Sequence, residues 1–117
     1  MSLTKPIPKE MREEMSQDKF YKKCCIADKE CSGVIQWHHN LISYVNGNKG
    51  RVNEIFCILP VCKGHHDKAD TTLIREKLDW VMWNRASEYQ ITFYSKATNY
   101  KIRKEYLDKK YGTYSQR

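Results

Sequence analysis

The spacing of apolar residues changes character along the chain, and the changes mark the elements. Residues 9–23 are charged with sparse apolar positions (Met11, Met15, Phe20, Tyr21), which predicts one short helix and a turn. Ser32-Gly33 is a turn signal, and Val34-Ile35-Gln36-Trp37-His38 is β-prone, so a strand is expected there. Residues 40–53 read as loop, because Asn46-Gly47-Asn48-Lys49-Gly50 is a dense run of turn formers. Ile55-Phe56-Cys57-Ile58-Leu59 is almost continuously apolar and predicts a second strand ending at Pro60. A short helix from Cys62 to Ala69 should follow. Beyond it, Ile74, Leu78, Val81, Met82, Arg85 and Tyr89 recur at helical spacing and form one apolar stripe. Ser87 with Gln90 three residues on has the form of a capping box, so a new helix is expected to start there. Asn99 is placed to cap a last helix, Tyr100 to Tyr111, with Lys109 and Lys110 complementing the dipole and Gly112 as C-cap. The expected fold is α+β. A strand–loop–strand–helix core (24–70) stands between an N-terminal arm and helix (1–23) and a C-terminal helical extension (71–117), all in one compact domain.

Composition narrows the class. At 117 residues the chain is one domain with a limited core, of the kind that often relies on an extra staple. No apolar run reaches membrane length, and MSLTKPIPKEMREEM has no apolar signal region. A reducing, cytoplasmic setting without membrane contact is therefore expected, where cysteines serve as metal ligands before disulfides. The net charge of +7 favours an anionic partner, nucleic acid first.

The chemistry is concentrated between Cys24 and Asp67. This stretch holds all five cysteines and all four histidines, the latter as two adjacent pairs, His38-His39 and His65-His66. Core packing does not call for such crowding. Cys25 and Cys31 precede the two strands, and Cys62 and His65 follow them. Two such ligand pairs can close a tetrahedral structural zinc site, with Cys24 the alternative to Cys25. Cys57, between apolar neighbours, reads as a small buried hydrophobe. If His65 closes that site, His66 begins another, facing one histidine of the strand pair. Two imidazoles leave most positions on a divalent ion open, as catalysis requires.

The run Cys25-x5-Cys31, Trp37-His38-His39, a glycine-containing loop and Leu59-Pro60-Val61-Cys62-Lys63-Gly64-His65-His66 resembles the HNH endonucleases, also called His-Me finger or ββα-metal nucleases. The likeness is to their small phage and prophage members and covers roughly residues 24–70. The resemblance implies that His38 and His66 hold a catalytic magnesium, manganese or zinc ion and that His39 is the general base. It also implies that an asparagine orients that base, with Asn53 the candidate and Asn40 the fallback. Hydrolysis of DNA, leaving 5′-phosphate and 3′-hydroxyl ends, would follow.

Strict strand alternation sends neighbouring side chains to opposite faces, so His38 and His39 converge only if the strand bends there. Arg51 and Lys63, inside the motif region, are the expected phosphate contacts. A homodimer would suit double-strand cutting by a single site. The competing reading is a zinc-stabilised nucleic-acid-binding module without catalysis. Trp80 and Trp83 are expected to pack rather than stack on bases.

Overall fold

The computed structural model describes residues 7–45, 48–95 and 100–112. The expected arm therefore lies largely outside the described residues, as does Asn99. Helix α1 (Lys9–Gln17) turns its one buried residue, Met15, into the core. A 3-10 turn (Lys19–Lys22) follows, opened by the Asp18 carboxylate, which accepts from the Phe20 N–H at 2.9 Å. It buries Phe20 and Tyr21, and the Tyr21 hydroxyl donates to the Ile55 and Ile58 carbonyls (3.0 and 2.8 Å), tying the N-terminal region to the far strand.

Strands β1 (Ile35–His39) and β4 (Ile58–Cys62) pair antiparallel, with Trp37 opposite Pro60 and His38 opposite Leu59. Helix α2 (Lys63–His66) leaves β4 directly, which completes a ββα unit. Two expectations are corrected. First, residues 42–51 are not loop. Strands β2 (Ile42–Val45) and β3 (Asn48–Arg51) form an antiparallel hairpin, paired from Ile42–Arg51 to Val45–Asn48. Part of the signal is in the sequence: Asn46-Gly47 directly after the β-prone run Ile42–Val45 is a hairpin dipeptide, whereas Asn48-Lys49-Gly50-Arg51 beyond it has little strand propensity. Second, Pro60 does not end the second strand. Ile55–Cys57 is a 3-10 turn and β4 runs through Pro60 to Cys62. The Pro60 carbonyl accepts from the Cys25 N–H at 2.9 Å. Its backbone polar edge therefore faces away from β1, where a missing N–H breaks no ladder bond.

The C-terminal half packs three helices on this unit: α3 (Thr72–Arg85), α4 (Glu88–Ser95) and α5 (Tyr100–Tyr111). Ile74, Leu78, Val81 and Met82 of the expected stripe are buried, and Trp83 joins them at 1% exposure. Their apolar area, at roughly 25 cal/mol per Å², supplies most of what holds α3 to β4. Tyr89 leaves the stripe and is 77% exposed. The reason is the helix break at Ala86: Ser87 N–H donates to Gln90 Oε1 (2.8 Å) and Gln90 N–H to Ser87 Oγ (3.1 Å), so the capping box restarts the helix in a new direction. Gly112 ends α5 at φ +85°, its N–H donating to the Asp108 carbonyl. The fold is thus α+β, a ββα core flanked by extra helices. Among the described residues no helix is long and apolar enough to cross a membrane.

Candidate metal centres and cleft

The first cluster sits where the chain enters β1 and leaves β4. Cys24, Cys31, Cys62 and His65 bring their ligand atoms within 4.8 Å of one another. His65 Nδ1 lies 3.1 Å from Cys62 Sγ and 3.6 Å from both Cys24 Sγ and Cys31 Sγ. Local structure explains the convergence. Asp28 folds the segment between the first two cysteines: its carboxylate accepts from Glu30 N–H and its carbonyl from Cys31 N–H, while Ala27 takes a left-handed turn at φ +50°. Gly33, at φ +82°, lies so close to Lys63 that a Cβ there would come within 2.9 Å of the lysine Cβ. That approach lets Lys63 N–H donate to Val34 O and Gly64 N–H to Ser32 O, which clamps α2 onto the cluster.

Cys24, not Cys25, supplies the first thiol. The Cys25 backbone is pinned to Pro60 at the β4 edge, and its own thiol is outside the cluster, pushed up in pKa by burial. Cys57 also stays outside. It is fully buried, donates to the Val52 and Glu54 carbonyls, and burial raises its thiol to about 12. All five cysteines are free thiols.

The donor set fits a metal ion. Three sulfurs and one imidazole nitrogen are a tetrahedral set suited to zinc, whose ligands at about 2.3 Å stand a little under 4 Å apart. Burial pushes the Cys62 thiol up, but N–H donors from His65 and Ser32 and contacts with His65 and Cys31 outweigh it, bringing it down to about 7. Cys31, desolvated and crowded by Cys24 and Cys62, is raised to about 11. A bound cation reverses that crowding by deprotonating coordinating thiols outright. On the far side of the imidazole, Nε2 makes no aligned hydrogen bond, yet Asp28 Oδ1 stands 3.1 Å away. A carboxylate behind a ligating histidine is the usual outer-shell partner of such a site.

A second grouping lies along β1. The rings of His38 and His66 approach edge to face with centroids 5.0 Å apart. His65 and His66 are neighbours on α2 and diverge, one toward the thiols and one toward the strand. Gln36 shares the His38 face of β1, two residues back, and its Oε1 accepts from His66 Nδ1 at 2.7 Å. That bond places the proton on Nδ1 and leaves the Nε2 lone pair for a ligand. Gln36 was not anticipated from sequence, although the period of two from His38 pointed to it. Among the described residues, only the Cys3His group gathers three or more potential ligands, so the His38–His66 pair offers two.

His39 turns the other way and pairs through Nε2 with Asn53 Oδ1 at 2.8 Å. An amide oxygen only accepts, so Nε2 carries the hydrogen and Nδ1 keeps a lone pair. Asn40 does not take that role: its Nδ2 donates to Asp79 Oδ1 at 2.8 Å. Despite their divergence, His38 and His39 both line one cleft of about 410 Å³, walled on the opposite side by α3 and α5. Past the end of β1 the pairing carries on for one residue, the Asn40 N–H donating to the Cys57 carbonyl at 2.8 Å. Lys63 is exposed and paired with Asp67 at 3.0 Å, and Arg51 is described only as part of the β3 backbone. Trp83 is core, and Trp80 donates to the Gly112 carbonyl at 3.2 Å.

Comparison with known proteins finds no matching family model, no matching curated protein and no matching solved structure. The chain is therefore described by what its residues build: a metal-binding ββα module compatible with nuclease-type folds.

Proposed function

We propose that the chain is a metal-dependent endonuclease of the HNH type acting on DNA, with His39 as general base and zinc in the Cys3His cluster. One observation carries the reading: His38 and His66 meet across the strand–helix groove, separately from the thiol cluster, beside a third imidazole whose tautomer Asn53 sets. A magnesium, manganese or zinc ion held by His38 and His66 would neutralise charge developing on the phosphate and on the leaving oxygen.

The chain's own residues supply the rest. Nδ1 of His39 takes a proton from a water molecule as the water oxygen bonds to phosphorus in line with the departing 3′ oxygen. The P–O3′ bond breaks and the 3′ oxygen leaves with a proton from solvent. Asn53 holds the imidazole in the tautomer that can accept, and hydrogen-bonds the imidazolium once formed. Gln36 holds His66 in the tautomer that can ligate.

The test is plasmid nicking with magnesium, manganese or zinc, comparing wild type with His39→Ala at matched protein and zinc content. The reading expects a loss of about a hundredfold or more in the variant. Equal cutting by both removes His39 from the chemistry. One tight zinc per chain, no cleavage and salt-sensitive DNA binding would instead make the chain a zinc-stabilised nucleic-acid-binding module.

A further inference from the structure

The C-terminal helices do more than cover the core, because their residues form the wall of the cleft that faces His38 and His39. On that wall Asp79, buried within α3, accepts from Asn40 Nδ2 and from Arg103 Nε of α5, each at 2.8 Å. The carboxylate is thereby neutralised, and the pairing uses only one of the five N–H donors of Arg103. The guanidinium is held by its Nε edge at the cleft, next to the residue that follows the histidine pair.

Arg75 lines the same cleft from the first turns of α3. It is exposed, and its side chain has no ion pair or hydrogen bond among the described residues. Asp70 also lines the cleft and forms no ion pair with Arg75. Two lysines of α5 are paired within the C-terminal half, Lys104 with Asp108 and Lys110 with Glu76, and neither lines the cleft. Among the described residues Arg75 is thus a cation without an acidic partner, in a cleft of ligand-binding size.

The geometry points to Arg75 and Arg103 as a phosphodiester-binding pair: the C-terminal helices supply the backbone-phosphate subsite that seats a nucleic-acid strand against His38 and His39. Fork-shaped guanidinium donors suit this ligand better than ammonium groups do. The inference rests on the reading of the histidine side as a nuclease centre, but it concerns binding and has its own readout.

The experiment measures anisotropy of a labelled short DNA duplex across a salt series, in the full chain carrying its zinc and in His39→Ala to prevent turnover. Arg75→Ala is the main variant, since an exposed unpaired side chain can be removed without unfolding. Arg75→Lys tests the fork geometry, and Arg12→Ala, on exposed α1 away from the cleft, controls for loss of one positive charge. Arg75→Ala is expected to weaken binding about ten- to hundredfold and to lower the salt slope by about 1, with Lys restoring slope more than affinity. Arg12→Ala should change the slope little. If Arg75→Ala leaves affinity and slope at wild-type values, or matches Arg12→Ala, the subsite is overturned, whether or not the protein cuts DNA. If the slope falls as expected while no metal supports cleavage, the subsite stands and the nuclease reading fails. No DNA binding at low salt by the wild type overturns both. Arg103→Gln, followed with a thermal melt because it unpairs buried Asp79, should add to the loss if it stays folded.

Discussion

His38 and His66, 28 positions apart in sequence, bring their rings to 5.0 Å centroid separation at an interplanar angle of 68°. A strand end and a four-residue helix make this meeting, and it depends on each ring being held by something else. For His66 that holder is Gln36.

Gln36 is therefore expected to control metal affinity at the histidine pair without touching the metal. Gln36→Ala removes the acceptor for His66 Nδ1–H and should weaken binding of a divalent ion there by about ten- to hundredfold. Gln36→Glu keeps an acceptor and should retain most of it. Titration with manganese, followed by water-proton relaxation, checks both. Equal affinities in all three proteins would leave Gln36 a bystander.

The thiol cluster should carry one zinc and a large share of the stability. Metal analysis is expected to return one zinc per chain in the wild type and in Cys25→Ser, and well below one in Cys24→Ser. Chelation should abolish the cooperative thermal transition, since structural zinc in small domains contributes on the order of 10 kcal/mol. A protein that melts unchanged after zinc removal would contradict this.

Acid should loosen the C-terminal helix at a predictable place. Glu76 accepts from Lys110, Tyr111 and Tyr106, and these bonds lower its pKa from 4.5 to about 2. A depressed carboxylate contributes stability that is present above its unfolded value and lost as pH falls toward the folded one. The urea midpoint should thus fall between about pH 4.5 and pH 2, and Glu76→Gln should flatten that limb. The partner Lys110 is raised by the same bond, so its contribution persists at neutral pH and is lost only on strongly alkaline titration.

Leu107 is the one fully buried residue of α5. Leu107→Ala should cost about 2–5 kcal/mol of unfolding free energy if α5 folds cooperatively with the rest. A loss below about 0.5 kcal/mol in denaturant melts would show the helix to be independently docked.

Much of the fold follows from local rules, and its departures from them are instructive. The order strand, strand, helix, helices, the break at Ser87 and the end at Gly112 are set by periodicity and by caps acting over three or four residues. The hairpin of residues 42–51 was missed because glycines and asparagines weighed more than the β-prone run Ile42–Val45 beside them. Strand β4 passes through Pro60 because that residue faces the sheet edge, a position no local pattern reveals.

The residues able to carry chemistry were determined by the sequence itself. Two histidine pairs and two cysteine-containing pairs astride a strand–strand unit restrict which side chains can meet, since ligand spacing is a short-range property. Only the tertiary structure decided among near-equals. It took Cys24 over Cys25, gave Asn53 to His39 and Asn40 to Asp79, and put Gln36 behind His66. It also set Arg75 and Arg103 across a cleft from the histidines. Each choice turns on the direction of a side chain relative to a partner more than a dozen residues away, and chain closure over such distances is fixed by packing the whole core.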